Sequence, residues 1–131
     1  MTHQGSESRW RRGARWGLAA LFVGAGAMHF VNPEPYVRLI PPYLPAPLLL
    51  VYVSGVAEVL GGLGVLPKVT RRWAGLGLIA LLVVFLLTHV HMALNPADYA
   101  DLGVPAWGWW ARLPVQGVLV AWVWWTTQPR R

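Results

Sequence analysis

The chain contains no cysteine and carries little charge for its length. Without a thiol it forms no disulfide, no thiolate metal site and no thiol redox relay. Only 12% of its 131 residues are charged and 56% are hydrophobic, whereas soluble domains carry about 25% charged residues. This balance argues against an ordinary soluble domain, and the apolar content excludes intrinsic disorder.

Four apolar stretches follow one another between short polar or proline-rich breaks, at about 16–31, 47–66, 73–94 and 107–127. The last three have the roughly 20 residues that a helix needs to cross the hydrocarbon. The first reaches that length if the turn 12–15 snorkels. The pattern predicts an all-α integral membrane four-helix bundle, with a basic segment 1–15, a four-span domain 16–127 and a tail 128–131.

Basic residues indicate how these spans are oriented. Nine of the 11 fall on one side of the predicted spans: Arg9, Arg11, Arg12, Arg15, Lys68, Arg71, Arg72, Arg130 and Arg131. Only Arg38 and Arg112 fall toward the other side. By the positive-inside rule both termini are cytoplasmic, in a bacterial-type inner membrane. The positive-inside rule therefore accounts for the net charge of +6. The charge gives no separate indication of a nucleic-acid partner.

Nine tryptophans also fit a membrane protein, because the indole ring favours the headgroup layer. All nine fall near predicted span ends: Trp10, Trp16, Trp73, Trp107, Trp109, Trp110, Trp122, Trp124 and Trp125. One alternative stays open. The basic start, the stretch 17–26 and the Ala25-x-Ala27 triplet resemble a secretory signal with its cleavage site, which would leave three spans.

Small and polar residues form a stripe on the second span. Ser54, Glu58 and Gly62 recur at i, i+4 and i+8, with Gly55 and Gly61 beside them. Because glycine lets helix backbones approach closely in lipid, we expect this stripe to face the interior of a tightly packed bundle.

An acidic residue inside a span costs about 2.5–3.5 kcal/mol on the insertion scale, so Glu58 calls for a partner. The one intramembrane cation at a similar depth is Arg112, early in the fourth span. We predict a Glu58–Arg112 contact, with Gln116 one turn below Arg112 on the same face.

All four predicted spans bring polar side chains to the outer half, which predicts a polar pocket there. The loops 32–46 and 96–106 would cover it. Thr88, His91, Met92 and Asn95 share one helical face, whereas His89 points about 100° away and receives no role. The candidate pocket residues are His29, Asn32, Ser54, Glu58, Thr88, His91, Asn95, Arg112 and Gln116.

Structural interpretations stand beside this chemical one. Glu58 with Arg112 suits a pair that only fixes helix register, and the histidines suit hydrogen bonding near helix ends. His29, His91 and Glu58 are metal ligands by type, but the His-x-His spacing points two ways on a helix. Bis-histidine haem ligation has no Cys-x-x-Cys-His motif behind it. The sequence therefore indicates neither a metal nor a haem.

Several motifs occur in a recognisable order: GAMHF at 26–30, P-x-x-Y at 33–36, IPPYLP at 40–45, SGVAEVLGG at 54–62, HMA at 91–93 and RLP-x-Q at 112–116. Together they resemble the DoxX-like family of small four-span membrane proteins, across 16–127. Signal cleavage would sever the His29-Phe30 motif from its helix, so the resemblance argues against it.

The resemblance implies functions that differ between members. Some are subunits of quinone-linked sulfur or thiosulfate oxidoreductases, and others resemble maturation or assembly factors. By this resemblance the candidate functional residues are His29, Glu58, Arg112 and Gln116. Many members are expected to have asparagine at the position of His89.

The resulting expectation is an accessory or quinone-facing subunit of a membrane oxidoreductase system, in contact with lipid, a quinone or a partner subunit, and open to oligomerisation. His29 or His91 would hydrogen-bond a quinone carbonyl, and Glu58 and Arg112 would relay protons. The alternatives are a non-catalytic assembly factor or chaperone, and a small-solute or proton transporter. The transporter is disfavoured by four short spans without an inverted repeat.

Overall fold

The computed structural model describes residues 6–130, and all regular structure in that range is helical. The elements are α1 (Arg9–Val31), α2 (Glu34–Leu39), α3 (Pro47–Gly64), α4 (Lys68–Leu94), a 3₁₀ segment (Pro96–Leu102) and α5 (Ala106–Thr127). The all-α prediction is confirmed over this range. Arg131 and the first five residues of the basic segment lie outside the described residues.

Three helices are long and apolar enough to span a membrane, namely α1, α3 and α4. Their outward faces carry large apolar side chains, and Leu60 and Val84 are 64% and 57% exposed. An exposed apolar surface of this extent is consistent with contact with lipid. Helix α5 has 22 residues but contains six tryptophans, Arg112, Pro114 and Gln116, and it is not among the three.

The long helices form a ring in which each packs against two main neighbours. Helix α1 packs on α3 and α5, and α4 packs on the same two, so α3 and α5 occupy opposite corners. Leu18 and Phe22 of α1, Leu78 of α4 and Val123 of α5 form an apolar core. This core lies in the half of the bundle that contains the start of α1 and the end of α5.

Arginines at that end cap the carbonyl ends of neighbouring helices. Arg11 Nε donates to Trp125 O at 2.8 Å, Arg15 Nε to Thr126 O at 2.9 Å, and Arg71 Nε to Val65 O at 2.9 Å. The last carbonyls of a helix have no partner within it, and cations are favoured there. These arginines therefore join the helices as well as carrying charge.

Arg15 corrects the expectation that the turn 12–15 snorkels. Its side chain is buried, 3% exposed, because Thr126 O and the carboxylate of Glu7 satisfy the guanidinium inside the bundle. Arg12, by contrast, is exposed.

Seven of the nine tryptophans are exposed at the bundle surface, including Trp10, Trp107 and Trp124. Trp109 and Trp122 are half-buried. Trp122 donates its indole N–H to Ala14 O at 3.0 Å, so it joins α5 to α1. An interfacial preference alone does not account for its position.

Helices α1 and α3 approach each other closely through two glycines. A Cβ added to Gly26 would lie 2.6 Å from Gly55 O, and one added to Gly55 would lie 2.8 Å from His29 Cβ. The buried residues of α3 are Val51, Gly55, Glu58 and Gly62. The expected stripe is thus correct at Glu58 and Gly62, but Gly55 takes the interior place assigned to Ser54, which is half-buried.

We expect Gly26→Ala to destabilise the protein by about 1–3 kcal/mol, the range for forcing an extra carbon into a packed core. Unfolding of the detergent-solubilised protein measures the change. Gly24→Ala is the matched control, since a Cβ there meets nothing within 4 Å. Equal stability of the two variants would contradict the close α1–α3 contact.

Candidate functional site

A cavity of about 200 Å³ lies between α1, α3 and α4, under α2. It is covered by Tyr36 and Leu39 of α2 and by Ile40, the residue that follows this helix. The other lining residues are Ala25, His29, Val51, Ser54, Glu58, Phe85, Thr88 and His89. The walls are mostly apolar, with a small set of polar groups, as is usual in ligand sites. Helix α5 contributes nothing to this lining, which corrects the expectation that all four long helices would.

His29 is held in a fixed orientation by the start of α3. Its Nδ1 lies 2.9 Å from Val51 O and 3.2 Å from Ser54 Oγ. Ser54 Oγ itself donates to Val51 O at 2.9 Å. Because a carbonyl oxygen only accepts, the contact with Val51 assigns a hydrogen to Nδ1. Tyr36 covers the imidazole from α2, with ring centroids 4.2 Å apart.

The other ring nitrogen faces Glu58. His29 Nε2 lies 3.1 Å from Glu58 Oε2, and each side chain is only 7% exposed. The two atoms are in contact but poorly aligned, and among the described residues Oε2 has no hydrogen-bond partner. The pair can hold one proton on either partner, as imidazole with carboxylic acid or as imidazolium with carboxylate.

The predicted Glu58–Arg112 contact is wrong: the partner of Glu58 is His29. Arg112 lies on α5, at the corner of the bundle opposite α3. A similar depth in the membrane does not bring two side chains together across that diagonal. Arg112 does not line the cavity, and its buried Nη1 has no hydrogen-bond partner among the described residues.

His89 is the cavity residue that sequence reasoning left without a role. It lines the cavity with Phe85 and Thr88, and its buried Nδ1 has no hydrogen-bond partner within residues 6–130. Phe85, Thr88 and His89 stand at i, i+3 and i+4, which is one helical face. If the pocket-lining face had been taken to begin at Phe85, the same helical spacing would have placed His89 on it.

His91 and Asn95 lie apart from the cavity, so the face that Thr88 shares with His91, Met92 and Asn95 does not line it as expected. They line a separate hollow at the surface, where Asn95 Nδ2 lies 3.3 Å from His91 Nδ1. Met92 is buried between the helices instead. The face of α4 that lines the cavity carries Phe85, Thr88 and His89.

Two further candidates serve the helices rather than the cavity. Asn32 is exposed and caps the end of α1 through its backbone N–H. Gln116 is buried, and its Nε2 donates to Leu82 O at 2.7 Å, which joins α5 to α4. Of the nine candidates, the cavity thus brings together His29, Ser54, Glu58 and Thr88.

Within the described part of the chain, no three His, Asp or Glu side chains form a group able to hold a metal. The set of His29, Glu58 and His91 is not assembled, because His91 lines the separate hollow.

An ion pair joins the two connections at the end of the bundle away from the termini. Arg38 of α2 hydrogen-bonds both carboxylate oxygens of Asp101 in the 3₁₀ segment, and its Nη2 donates to Asp98 O at 3.2 Å. The Arg38 guanidinium lowers the pKa of Asp101, and the carboxylate raises the pKa of Arg38. This exposed pair links α2, which covers the cavity, to the 3₁₀ segment.

Residues 18–127 match a family model described as a domain of unknown function, DUF8561. The match covers most of the chain, so the protein belongs to that family. No curated protein matches the chain, and no solved structure matches it either.

We expect the carboxyl of Asp101 to titrate below the usual aspartate value of about 3.9, because protonation must break its hydrogen bonds to Arg38. Any stability from the pair is present above that usual value and is lost as pH falls through the lowered pKa. NMR titration of the carboxyl carbon measures the midpoint. In Arg38→Gln the midpoint should rise; an unchanged midpoint would show that the pair does not form.

Proposed function

We propose that the chain crosses a bacterial-type inner membrane four times, with both termini in the cytoplasm, and that its cavity receives the head group of a quinone. In this proposal it is an accessory or quinone-facing subunit of a membrane oxidoreductase system. The observation that carries the proposal is the buried His29–Glu58 pair, whose hydrogen-bonding capacity is unfilled, on the wall of an otherwise apolar cavity.

Two features support the fourth span and the orientation. Helix α5 has 22 residues, about 33 Å at 1.5 Å per residue, and it packs along two of the membrane-length helices. In addition, eight of the ten basic residues in 6–130 belong to the end where α1 begins and α5 ends, as the positive-inside rule expects of a cytoplasmic face.

The cavity suits a flat ring with polar edges better than a larger ligand. Its volume of about 200 Å³ is below the roughly 300–1,000 Å³ typical of sites for drug-sized molecules. Leu39, Ile40 and Phe85 supply apolar walls. His29 with Glu58 supplies hydrogen-bonding groups from α1 and α3, and His89 does so from α4.

When bound, a quinone supplies two-electron chemistry coupled to proton uptake. This chain's part is to bind the ring and to hold a proton beside it. Val51 O and Ser54 fix the His29 ring through Nδ1, which presents Nε2 and the Glu58 carboxyl as one proton-holding unit. Because the chain has no cysteine, the electrons come from a partner subunit or another cofactor.

The DoxX-like resemblance points to a quinone, and it stays a prediction, since the matched family has no described function.

The second candidate is a non-catalytic assembly factor. It is favoured by one observation: the His29–Glu58 pair lies at the Gly26–Gly55 contact, where a pair that fixes helix register would be useful.

The protein purified from its host membrane should contain extractable quinone, and Glu58→Gln and His29→Gln should each reduce the amount by about fivefold, as expected for one lost hydrogen bond of about 1 kcal/mol. Chromatography of the solvent extract measures it. His91→Gln is the matched histidine control, because His91 lines a different hollow. Equal quinone content in all four proteins would refute the proposal.

The double variant His29→Leu/Glu58→Leu separates the two candidates. Each single substitution leaves a buried polar partner and should destabilise the protein, whereas the double variant should recover most of the loss. If the pair serves a bound quinone, the stable double variant will lack quinone and cellular function. If it only fixes register, function will return with stability.

A further inference from the structure

At the opposite end of the bundle, a surface groove points to a second ligand. It lies between the first turns of α1 and the end of α5, has a volume of about 670 Å³, and is lined by Arg9, Trp10, Gly13, Ala14 and Trp125. We propose that this groove binds the headgroup of an anionic phospholipid. The proposal rests on the cytoplasmic placement of this end and is independent of the quinone.

Two small residues of α1 line the groove. Ala14 does so, and its carbonyl accepts the indole N–H of Trp122 at 3.0 Å. A Cβ on Gly13 would meet nothing within 4 Å, so this residue leaves space rather than making a contact. Trp10 is 85% exposed and Trp125 is 42% exposed, which suits indole rings resting against lipid at the headgroup level.

Five of the eight described basic residues at this end show a contrast in their side-chain contacts. Arg11, Arg15 and Arg71 use their guanidinium groups to cap helix carbonyls. Arg9 and Arg12 are exposed and make no side-chain hydrogen bond or ion pair with another described residue. Of these two, Arg9 lines the groove.

Acidic charge does not offset them. Among the described residues of this end, the one carboxylate is that of Glu7. It forms an ion pair with Arg15, and its Oε1 lies 3.8 Å from Arg11 Nη1. The groove is therefore lined by a guanidinium that has no carboxylate partner among residues 6–130 and by two exposed indoles. Basic residues beside a span attract anionic lipid by about 1 kcal/mol each, and a groove lined by one converts that attraction into a site.

Native mass spectrometry of the full-length protein tests this with phosphatidylglycerol and phosphatidylcholine of identical acyl chains. We expect a retained phosphatidylglycerol and weaker retention of phosphatidylcholine. Arg9→Gln should weaken phosphatidylglycerol binding about fivefold, the equivalent of about 1 kcal/mol. Gly13→Leu should weaken it as well, because its side chain fills the groove.

Two matched controls locate the effect. Lys68→Gln removes an exposed charge from the same end but outside the groove, and Gly24→Leu adds the same side chain at another open glycine; both should bind like the wild type. Equal retention of the two lipids, an unchanged Arg9→Gln protein, or an equal loss in Lys68→Gln would each overturn the proposal. Displacement by millimolar inorganic phosphate would also overturn it, by assigning the groove to free phosphate.

Discussion

The backbone contact between Gly26 and Gly55 is the constraint on which the rest of the site depends. Neither position has room for a methyl group, so α1 and α3 approach more closely than helices separated by larger side chains can. His29 lies three residues after Gly26, and Glu58 three residues after Gly55, so the same approach brings imidazole and carboxyl to 3.1 Å. A larger residue at either glycine would separate the pair and change the cavity wall.

The two ends of the bundle resolve the burial of polar groups in different ways. At the end carrying the termini, arginine donors meet the free carbonyls of α3 and α5, so buried polar atoms such as those of Arg15 are satisfied within the protein. Toward the other end, Glu58 Oε2 and His89 Nδ1 are buried without partners among the described residues. Unsatisfied buried polar groups destabilise a fold, and they are retained where a ligand satisfies them. This contrast is why the cavity, and not the arginine cluster, is the candidate for ligand chemistry.

The sequence was sufficient for the four long helices but not for α2, which falls in the stretch 32–46 expected as a loop. Apolar run lengths identified α3 and α4 as membrane-length segments, whereas α1 reaches that length because its helix begins at Arg9, before the apolar run. The fourth run forms α5, which is not among the three membrane-length helices. Counting along the helices also placed His29, Glu58 and Thr88 toward the end of the bundle away from the termini. The pairing of Glu58 was not predictable in the same way. Depth along a helix follows from counting residues, but the order of helices around the ring does not, and that order places Arg112 diagonally opposite α3.

His89 was missed for a related reason, since one residue of helix is 100° of rotation and the periodicity of α4 does not fix which side of the helix faces the cavity.

Nitrogen-15 NMR of the His29 imidazole in the detergent-solubilised protein tests the central claim most directly, with Glu58→Gln and Arg112→Gln compared against the wild type. The account predicts a protonated Nδ1 hydrogen-bonded to the backbone in all three proteins. It also predicts an Nε2 resonance that moves in Glu58→Gln and stays in place in Arg112→Gln. An Nε2 resonance indifferent to Glu58→Gln would contradict the pairing, and with it the site built around that pairing.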